Sequence, residues 1–440
     1  MFQSIVERTM QELFRQAMRN ADNLRKSETA KKLDYFNNLQ QDYILDALRQ
    51  THPQTFANVS PVNLNVVGRI IRALSMVYIQ DASRRVDGTD RDAEIYASFE
   101  DTAALPVKLK LANRLTKLLG NVLLRPVWRN GKPDLDVLTG DILDVQYGDS
   151  PDDLKAVLVT LYDASGDTTE VKYSLWTAEE YRLLNYNGST LHAEPNPYGR
   201  LPFVAIWNTP PLSDFWVPGA NDLVSLQDAI NLRISDLNYI IHQQAFGVGY
   251  AKGTGIQDAE GELFRSPEKM FLLPADGEVG FVSQQAEIES VVKAIDYLVK
   301  QAAVTNGLPA STMSAEPNEE SGISKIVGNT TLEELRRDDI AIFARAEGEL
   351  FDLFRTVWNV HNPHSQMSDS ATLMVDFFDP KPSVSRKEQL EEWEGLLSLG
   401  LASPVDILIE LNPDLSRDDA KLRLLEIKDE INEFRGAIFV

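Results

Sequence analysis

The chain reads as an α+β protein, mostly helical, on three observations. Apolar residues recur at three- and four-residue steps over residues 221–244, 284–304 and 323–361, and a helix gathers such positions on one face. Between residues 121 and 175 the period shortens toward two, around the hairpin turn signal Asn130-Gly131. These strands follow one another without intervening helices, so their sheet is antiparallel.

Residues 1–120 are expected to be mainly helical. Leu39, Tyr43 and Leu48 predict a helix through Gln50, and Pro53 and Pro61 interrupt the pattern. Residues 62–79 place Val66, Ile70, Ile71, Leu74, Val77 and Tyr78 on a broad apolar face. Leu109, Leu111, Leu115, Leu118 and Leu119 mark a further helix with Gly120 as its C-cap. Strands are predicted over 121–129, 136–138, 142–147, 154–162 and 169–175, with a turn over 163–167 and a short helix over 178–184. Residues 196–208, NPYGRLPFVAIWN, read as a turn and an apolar strand.

Two helices then frame a small β insertion. In the first, Leu223, Leu226, Ile230, Ile234, Leu237 and Ile241 share a face. In the second, Ile288, Val291, Val292, Ile295, Leu298, Val299 and Ala302 form one stripe, with Glu289, Lys293, Asp296 and Lys300 opposite. Glu289/Lys293 and Asp296/Lys300 each have the favoured i,i+4 order, acid first. Between them, residues 246–281 begin with Gly247, Gly249, Gly253 and Gly255, read as a glycine-rich β turn, with strands near 270–273 and 279–282. Residues 306–322, NGLPASTMSAEPNEESG, read as a mobile loop. One long helix over 323–361 follows, with Gly328 as the point where it can bend, and then a strand over 373–378. Ser385 with Glu388, Ser403-Pro404, and Ser416 with Asp419 open three closing helices.

The 440 residues predict several substructures, and 43% hydrophobic content supports a sizeable core. No run approaches eighteen apolar residues, so no membrane-spanning helix is expected, and residues 1–19 lack the pattern of a secretory signal. The absence of cysteine excludes disulfides and thiolate metal sites and suits a reducing cytosol. A net charge of −23 argues against a protein that grips nucleic acid. It fits ordinary solubility, and it also fits a protein that meets DNA without holding it.

No catalytic set is legible. His361 and His364 are separated by Pro363 and have no third ligand in view. Lys252-Gly253-Thr254 has the wrong order for a phosphate loop. Trp207 and Trp216, beside prolines, read as packing anchors, and the acidic pairs Glu319/Glu320 and Asp338/Asp339 as solvated faces. No catalytic residue, metal ligand or cofactor is predicted, and no enzyme.

The order of these segments resembles the portal proteins of tailed bacteriophages, in the siphophage-type branch with wing, stem, clip and crown. The resemblance runs from about Leu115 to Glu433. It rests on NPYGRLPFVAIWN, NDLVSLQDAINLRISDLNYIIHQQ, the β insertion, QQAEIESVVKAIDYLVKQ, the proline-bearing loop with SGISKIVGNTTLEELRRD, and FFDPKPSVSRKEQLEEWEGLLSLGLAS. It implies a wing over 1–208, stem helices over 209–244 and 284–305, a clip over 245–283, and a tunnel loop over 306–322. A long helix and returning wing strand would occupy 323–381, and a short helical crown 382–440. It further implies a ring, usually of twelve copies, at one capsid vertex of the virion, assembled in the host cytoplasm. Double-stranded DNA would pass through the channel, weakly bound. Partners would be the large terminase, head-completion or adaptor proteins, and the major capsid and scaffolding proteins, with no membrane. Ser311, Met313, Glu316, Glu319 and Glu320 would belong to the channel loop. Glu289, Lys293, Asp296 and Lys300 would form the polar face of the stem, and Ile288, Val291, Val292, Ile295 and Leu298 its interface or core stripe. Two rival readings remain: an oligomeric head-tail adaptor or scaffold without a channel, and a packaging nuclease. The nuclease would need clustered carboxylates at a metal and a basic groove, and neither stands out.

Overall fold

A computed structural model describes residues 24–54, 59–163, 170–246, 248–252, 278–282, 288–313, 322–378, 386–412 and 415–437. The fold is α+β and mostly helical, as the periodicities predict. The chain divides into two units, Met1–Asn318 with Gly328–Phe378, and Glu319–Val327 with Asp379–Val440.

The first unit opens with helices α1 (Leu24–Phe36), α2 (Gln41–Thr51) and α3 (Val66–Leu74). Strand β1 (Ser83–Asp87), α4 (Asp90–Thr102) and α5 (Leu105–Leu119) follow. Helix α3 is shorter than the 62–79 stretch that predicted it, because Ser75 and Met76 turn the chain out of the helix. A capping box between Thr89 and Asp92 starts α4. Gly120 ends α5 at φ 94°, and a Cβ there would lie 2.3 Å from the Val217 carbonyl.

Eight further strands then make two antiparallel sheets: β2 (Asn121–Arg129), β3 (Lys132–Leu138), β4 (Leu143–Tyr147), β5 (Leu154–Asp163), β6 (Glu170–Thr177), β7 (Glu180–Leu184), β8 (Thr190–Pro195) and β9 (Val204–Trp207). The order is β3-β2-β9 in one and β4-β5-β6-β7-β8 in the other. Arg129 pairs with Lys132 across Asn130 and Gly131, both at positive φ as a two-residue hairpin requires. The expected short helix over 178–184 is instead β7, hydrogen-bonded to strands on both sides. Its Tyr181 ring lies 4.5 Å from Trp176 on β6; sheet pairing outweighs the local helical pattern. Strands β1 and β8 carried no expectation at all. An apolar core of Leu123, Leu143, Val145, Val157, Val159, Phe203 and Phe215 joins the two sheets.

The two framing helices are α6 (Asn221–Phe246) and α7 (Ile288–Thr305), separated by the antiparallel ribbon β10 (Val248–Lys252) and β11 (Glu278–Val282). The stretch that begins with glycines is thus strand over 248–252 rather than a turn. Gly253, Gly255 and the strand expected near 270–273 lie outside the described residues. The start of α6 (Leu223, Ile230) and the end of α7 (Ala302, Ala303) share the main core, as an antiparallel hairpin requires. Helix α8 (Gly322–His361) has 40 residues and is continuous through Gly328, about 60 Å at roughly 1.5 Å per residue. Its Phe343, Leu350, Phe351 and Phe354 close the main core against Tyr96 and Phe99. Strand β12 (Thr372–Asp376) pairs with β1.

The second unit carries α9 (Arg386–Ser398), α10 (Pro404–Leu411) and α11 (Arg417–Ala437). Ser403 and Asp406 form a capping box, and Ser416 caps through Asp419; Ser385 lies outside the described residues. The unit buries little: Leu399, Leu401, Leu411, Leu422 and Leu425 are all exposed.

Candidate functional site

The helix pair α6–α7 and the turn after it hold most of the sequence-predicted residues. On α7 the two expected ion pairs form, Lys293 to Glu289 and Lys300 to Asp296, each at 2.6 Å. Both are exposed, so each contributes only a few tenths of a kcal/mol, on the order of 0.3–0.5. The apolar stripe is only partly used within one chain. Ile295 is buried, Ile288, Val291 and Leu298 are half-buried, and Val292 is 46% exposed. On the side of α7 opposite Ile295, Tyr297 is 62% and Val304 49% exposed. The helix therefore offers apolar side chains on two non-equivalent faces.

Helix α6 departs from its expected pattern. Leu223 and Ile230 are buried, but Ile234 and Leu237 are half-buried and Ile241 is exposed. The buried face farther along the helix is polar, with Gln227, Asn231 and Ser235 all at most 1% exposed. Gln227 Oε1 accepts from the amides of Val66 (2.9 Å) and Val67 (3.1 Å), the first two of α3, and its Nε2 donates to the Leu64 carbonyl at 2.6 Å and to Asn231 Oδ1 at 2.7 Å. Asn231 Nδ2 donates to Gln40 Oε1, and Ser235 Oγ accepts from the Val62 amide. Asn65 then takes the Gly68 amide at 2.7 Å. The orphan donors of α3 are thus met mainly by a different helix. The only sequence signal for this seam is its four-residue spacing.

The turn after α7 is packed. Gly307 at φ 78° lets the chain double back, Leu308 and Met313 enter the main core, and Ala310–Met313 forms a 3-10 turn. Arg69 of α3 donates to the Thr312 carbonyl at 2.7 Å. The loop expected to be mobile over 306–322 is therefore anchored as far as Met313. Ser311 is half-buried in that anchor, and Glu316, Glu319 and Glu320 lie outside the described residues.

No group of three His, Cys, Asp or Glu able to hold a metal occurs among the described residues. His361 instead stacks on Trp128 with centroids 5.3 Å apart, and Tyr198 Oη lies 3.1 Å from its Nε2. Trp207 donates to the Phe215 carbonyl and Trp216 faces the Arg25 guanidinium, so both indoles are packed within the chain. Among the described residues no helix is long and apolar enough to cross a membrane.

Residues 127–433, well over half of the chain, match the model of the family described as phage portal protein, SPP1 Gp6-like. No curated protein sequence matches the chain. Among solved structures, a chain from the virion of a native gene transfer agent particle superposes with a TM-score of 0.46 at 11% identity, over 79% of this chain and 89% of that one. Chains from the neck of the empty particle (C6 symmetry) and of the native particle (C12 symmetry) give 0.48 and 0.45, each at 12% identity with the same coverage. Family membership rests on the sequence match.

Proposed function

The chain belongs to the SPP1 Gp6-like phage portal family, and from that premise we propose that it assembles into a homo-oligomeric ring at one capsid vertex and conducts double-stranded DNA. Residues 1–208 with the strand β12 would be the wing, α6 and α7 the stem, residues 245–283 the clip, and residues 382–440 the crown. The clip would dock the large terminase and later the head-completion protein, and the wing would meet the capsid and scaffolding proteins. The ring would belong to the virion, be built in the host cytoplasm, and most often contain twelve copies.

The observation that carries this reading is α7 with its two apolar faces. A closed ring needs a heterologous interface, in which one surface of a subunit meets a different surface of the next. Val292 on one side of α7 and Tyr297 with Val304 on the other supply two such surfaces on one helix. A net charge of −23 suits the bore. Acidic walls repel phosphates and keep counterions mobile, so DNA would pass without being gripped. Electron micrographs of the purified protein test the reading. A closed ring with a central hole is expected. A solid oligomer would favour a channel-less head-tail adaptor, and a monodisperse monomer at micromolar concentration would exclude both.

A further inference from the structure

At the start of α6 lies a cleft of about 180 Å³, lined among others by Arg25, Glu28 and Lys32 of α1, by Asn121, by Trp216 and by Asn221. This is the space of about six waters at roughly 30 Å³ each. Its two cations differ in kind. Arg25 is fully engaged. Its guanidinium lies 3.9 Å from the Trp216 ring centre, donates to the carbonyls of Gly140 (2.5 Å) and Leu143 (3.0 Å), and pairs with Asp144 at 3.2 Å. Lys26 closes on the other Asp144 oxygen at 2.6 Å. Lys32 is different. It is only 8% exposed, and among the described residues it donates no hydrogen bond and forms no ion pair. Glu28, one turn earlier on the same helix, lines the cleft but is exposed to solvent and does not close on it.

The Lys32 stem is buried while its ammonium, with three unused donors, opens into the cleft, where it is available to an acceptor. Burial holds the Lys32 pKa below the usual lysine value, and the Glu28 charge opposes that shift only in part. The 26-residue helix α6 opens into the same cleft at Asn221. The Asn221 amide is taken by the Gly219 carbonyl at 2.9 Å, so what the helix offers an anion there is the positive end of its dipole, partly offset by Asp222 in its first turn. Arg25 and Lys26 share Asp144, and among the described residues Lys32 is the cation lining the cleft that has no partner.

We propose that this cleft binds a small oxyanion, a phosphate or carboxylate group held by the Lys32 ammonium against the start of α6. The Trp216 ring and Leu119 wall the cleft, so the anion would be partly withdrawn from water and the pairing strengthened. The oxyanion has two possible sources with the same chemistry: a free ion in solution, or the acidic side chain of a second copy of this chain.

The test compares the full-length protein with Lys32→Met and with the surface control Lys132→Met. Inorganic phosphate is titrated against chloride at constant ionic strength, and thermal unfolding is followed. Tenfold excess over the dissociation constant is expected to raise the melting temperature of the wild type and of Lys132→Met by about 2 °C and to leave Lys32→Met unmoved. Without phosphate, Lys32→Met should melt no lower than the wild type, since methionine fills the space and removes the buried charge. A density map of the assembled protein in phosphate buffer identifies the source. Isolated density at Nζ means a free ion. Density continuous with an Asp or Glu of the adjacent copy means a second copy, and the ring then ignores phosphate. Either result supports the site. Only water at Nζ, with the same phosphate response in all three proteins, overturns it.

Discussion

Glu347 of α8 grips Arg84 of β1 with both carboxylate oxygens: Oε2 accepts from Nε at 2.6 Å and Oε1 from Nη2 at 3.0 Å. The side chains are 1% and 2% exposed. Tyr78 donates to Oε1 at 2.7 Å, and Arg84 reaches on to Glu100 at 3.2 Å. Burial raises the Tyr78 pKa well above its usual value, and the adjacent Glu347 charge adds to this, so the hydroxyl stays a donor. Cutting Glu347 to Ala leaves the buried guanidinium with only Glu100 and takes the acceptor from Tyr78, and should cost about 3–5 kcal/mol, read as a lower urea midpoint. The double variant Arg84→Met/Glu347→Leu should lose less than the sum of its two single changes. Strict additivity would show that the pair is not coupled.

A second buried carboxylate gives a pH signature. Asp339 on α8 pairs with Lys117 of α5 at 2.8 Å, while its other oxygen, Oδ2, has no hydrogen-bond partner. Burial raises its pKa above the ordinary value of 3.8, against the opposing pull of Lys117. A raised folded-state pKa means the folded state favours the protonated form. The stability this contributes is therefore full below the unfolded pKa and lost as pH rises through the folded one. Subtracting the unfolding free energy of Asp339→Asn from that of the wild type across pH 3.8 and upward should give a curve that falls with pH. A rising or flat curve would contradict the assignment.

The polar seam on α6 makes the third prediction. Gln227→Leu keeps the helix but leaves the Val67 amide of α3 without its acceptor, and the Val66 amide with only the Leu64 carbonyl at 3.0 Å. A stranded buried donor costs about 1–3 kcal/mol, and destabilisation of that order is expected from equilibrium denaturation. Gln227→Glu, which sets a buried carboxylate oxygen against the Leu64 carbonyl and Asn231 Oδ1, should lose at least as much at neutral pH. A neutral Gln227→Leu would mean that water replaces the side chain.

The same seam marks where sequence reading reached its limit. Glu289/Lys293, the Asn130-Gly131 turn and the Ser416/Asp419 cap were legible because each is local, with both partners within four residues. Gln227, Asn231 and Ser235 were not. They look solvent-facing until the chain near residues 62–67 arrives to use them, some 160 residues earlier in the sequence. The strand β1 has its partner β12 nearly 290 residues away, so nothing local announced it. Residues 178–184 carried a helical pattern that pairing with β6 and β8 overrode. The composition of residues 306–322 reads as a mobile loop, yet Leu308 and Met313 are core residues. Glu316, Glu319 and Glu320, expected in a channel loop, lie outside the described residues.

Two substitutions on α7 separate folding from assembly. Ile295 is 9% exposed within one chain and Val292 is 46% exposed. Ile295→Asp buries a charge with no partner in the monomer and should yield unfolded or aggregated protein. Val292→Asp places its charge where water reaches it in a single chain, so circular dichroism and melting of the monomer should change little. If α7 lines the contact between copies, that variant should nonetheless fail to form rings by mass photometry. Intact rings of Val292→Asp would remove this face from the interface.

The last prediction concerns the segment after α7. Residues 306–313 are anchored, with Met313 in the core and Arg69 bonded to the Thr312 carbonyl. The glutamates expected in a channel loop, Glu316, Glu319 and Glu320, all lie beyond that anchor, in residues 314–321. In the proposed ring these carboxylates would repeat around the channel and present negative charge to passing phosphates. Replacing residues 314–321 by a Gly-Ser linker of equal length should leave stability and ring formation almost unchanged, since it keeps the anchored residues 306–313 and the loop length. Met313→Asp should behave oppositely and damage the fold itself. In particles, the Gly-Ser variant should package DNA more slowly or lose packaged DNA, measured as the fraction of full heads after purification. The triple change of Glu316, Glu319 and Glu320 to Gln should reproduce the defect if charge is what matters. Full heads at wild-type yield and retention in both variants would reduce this segment to a connector between α7 and α8.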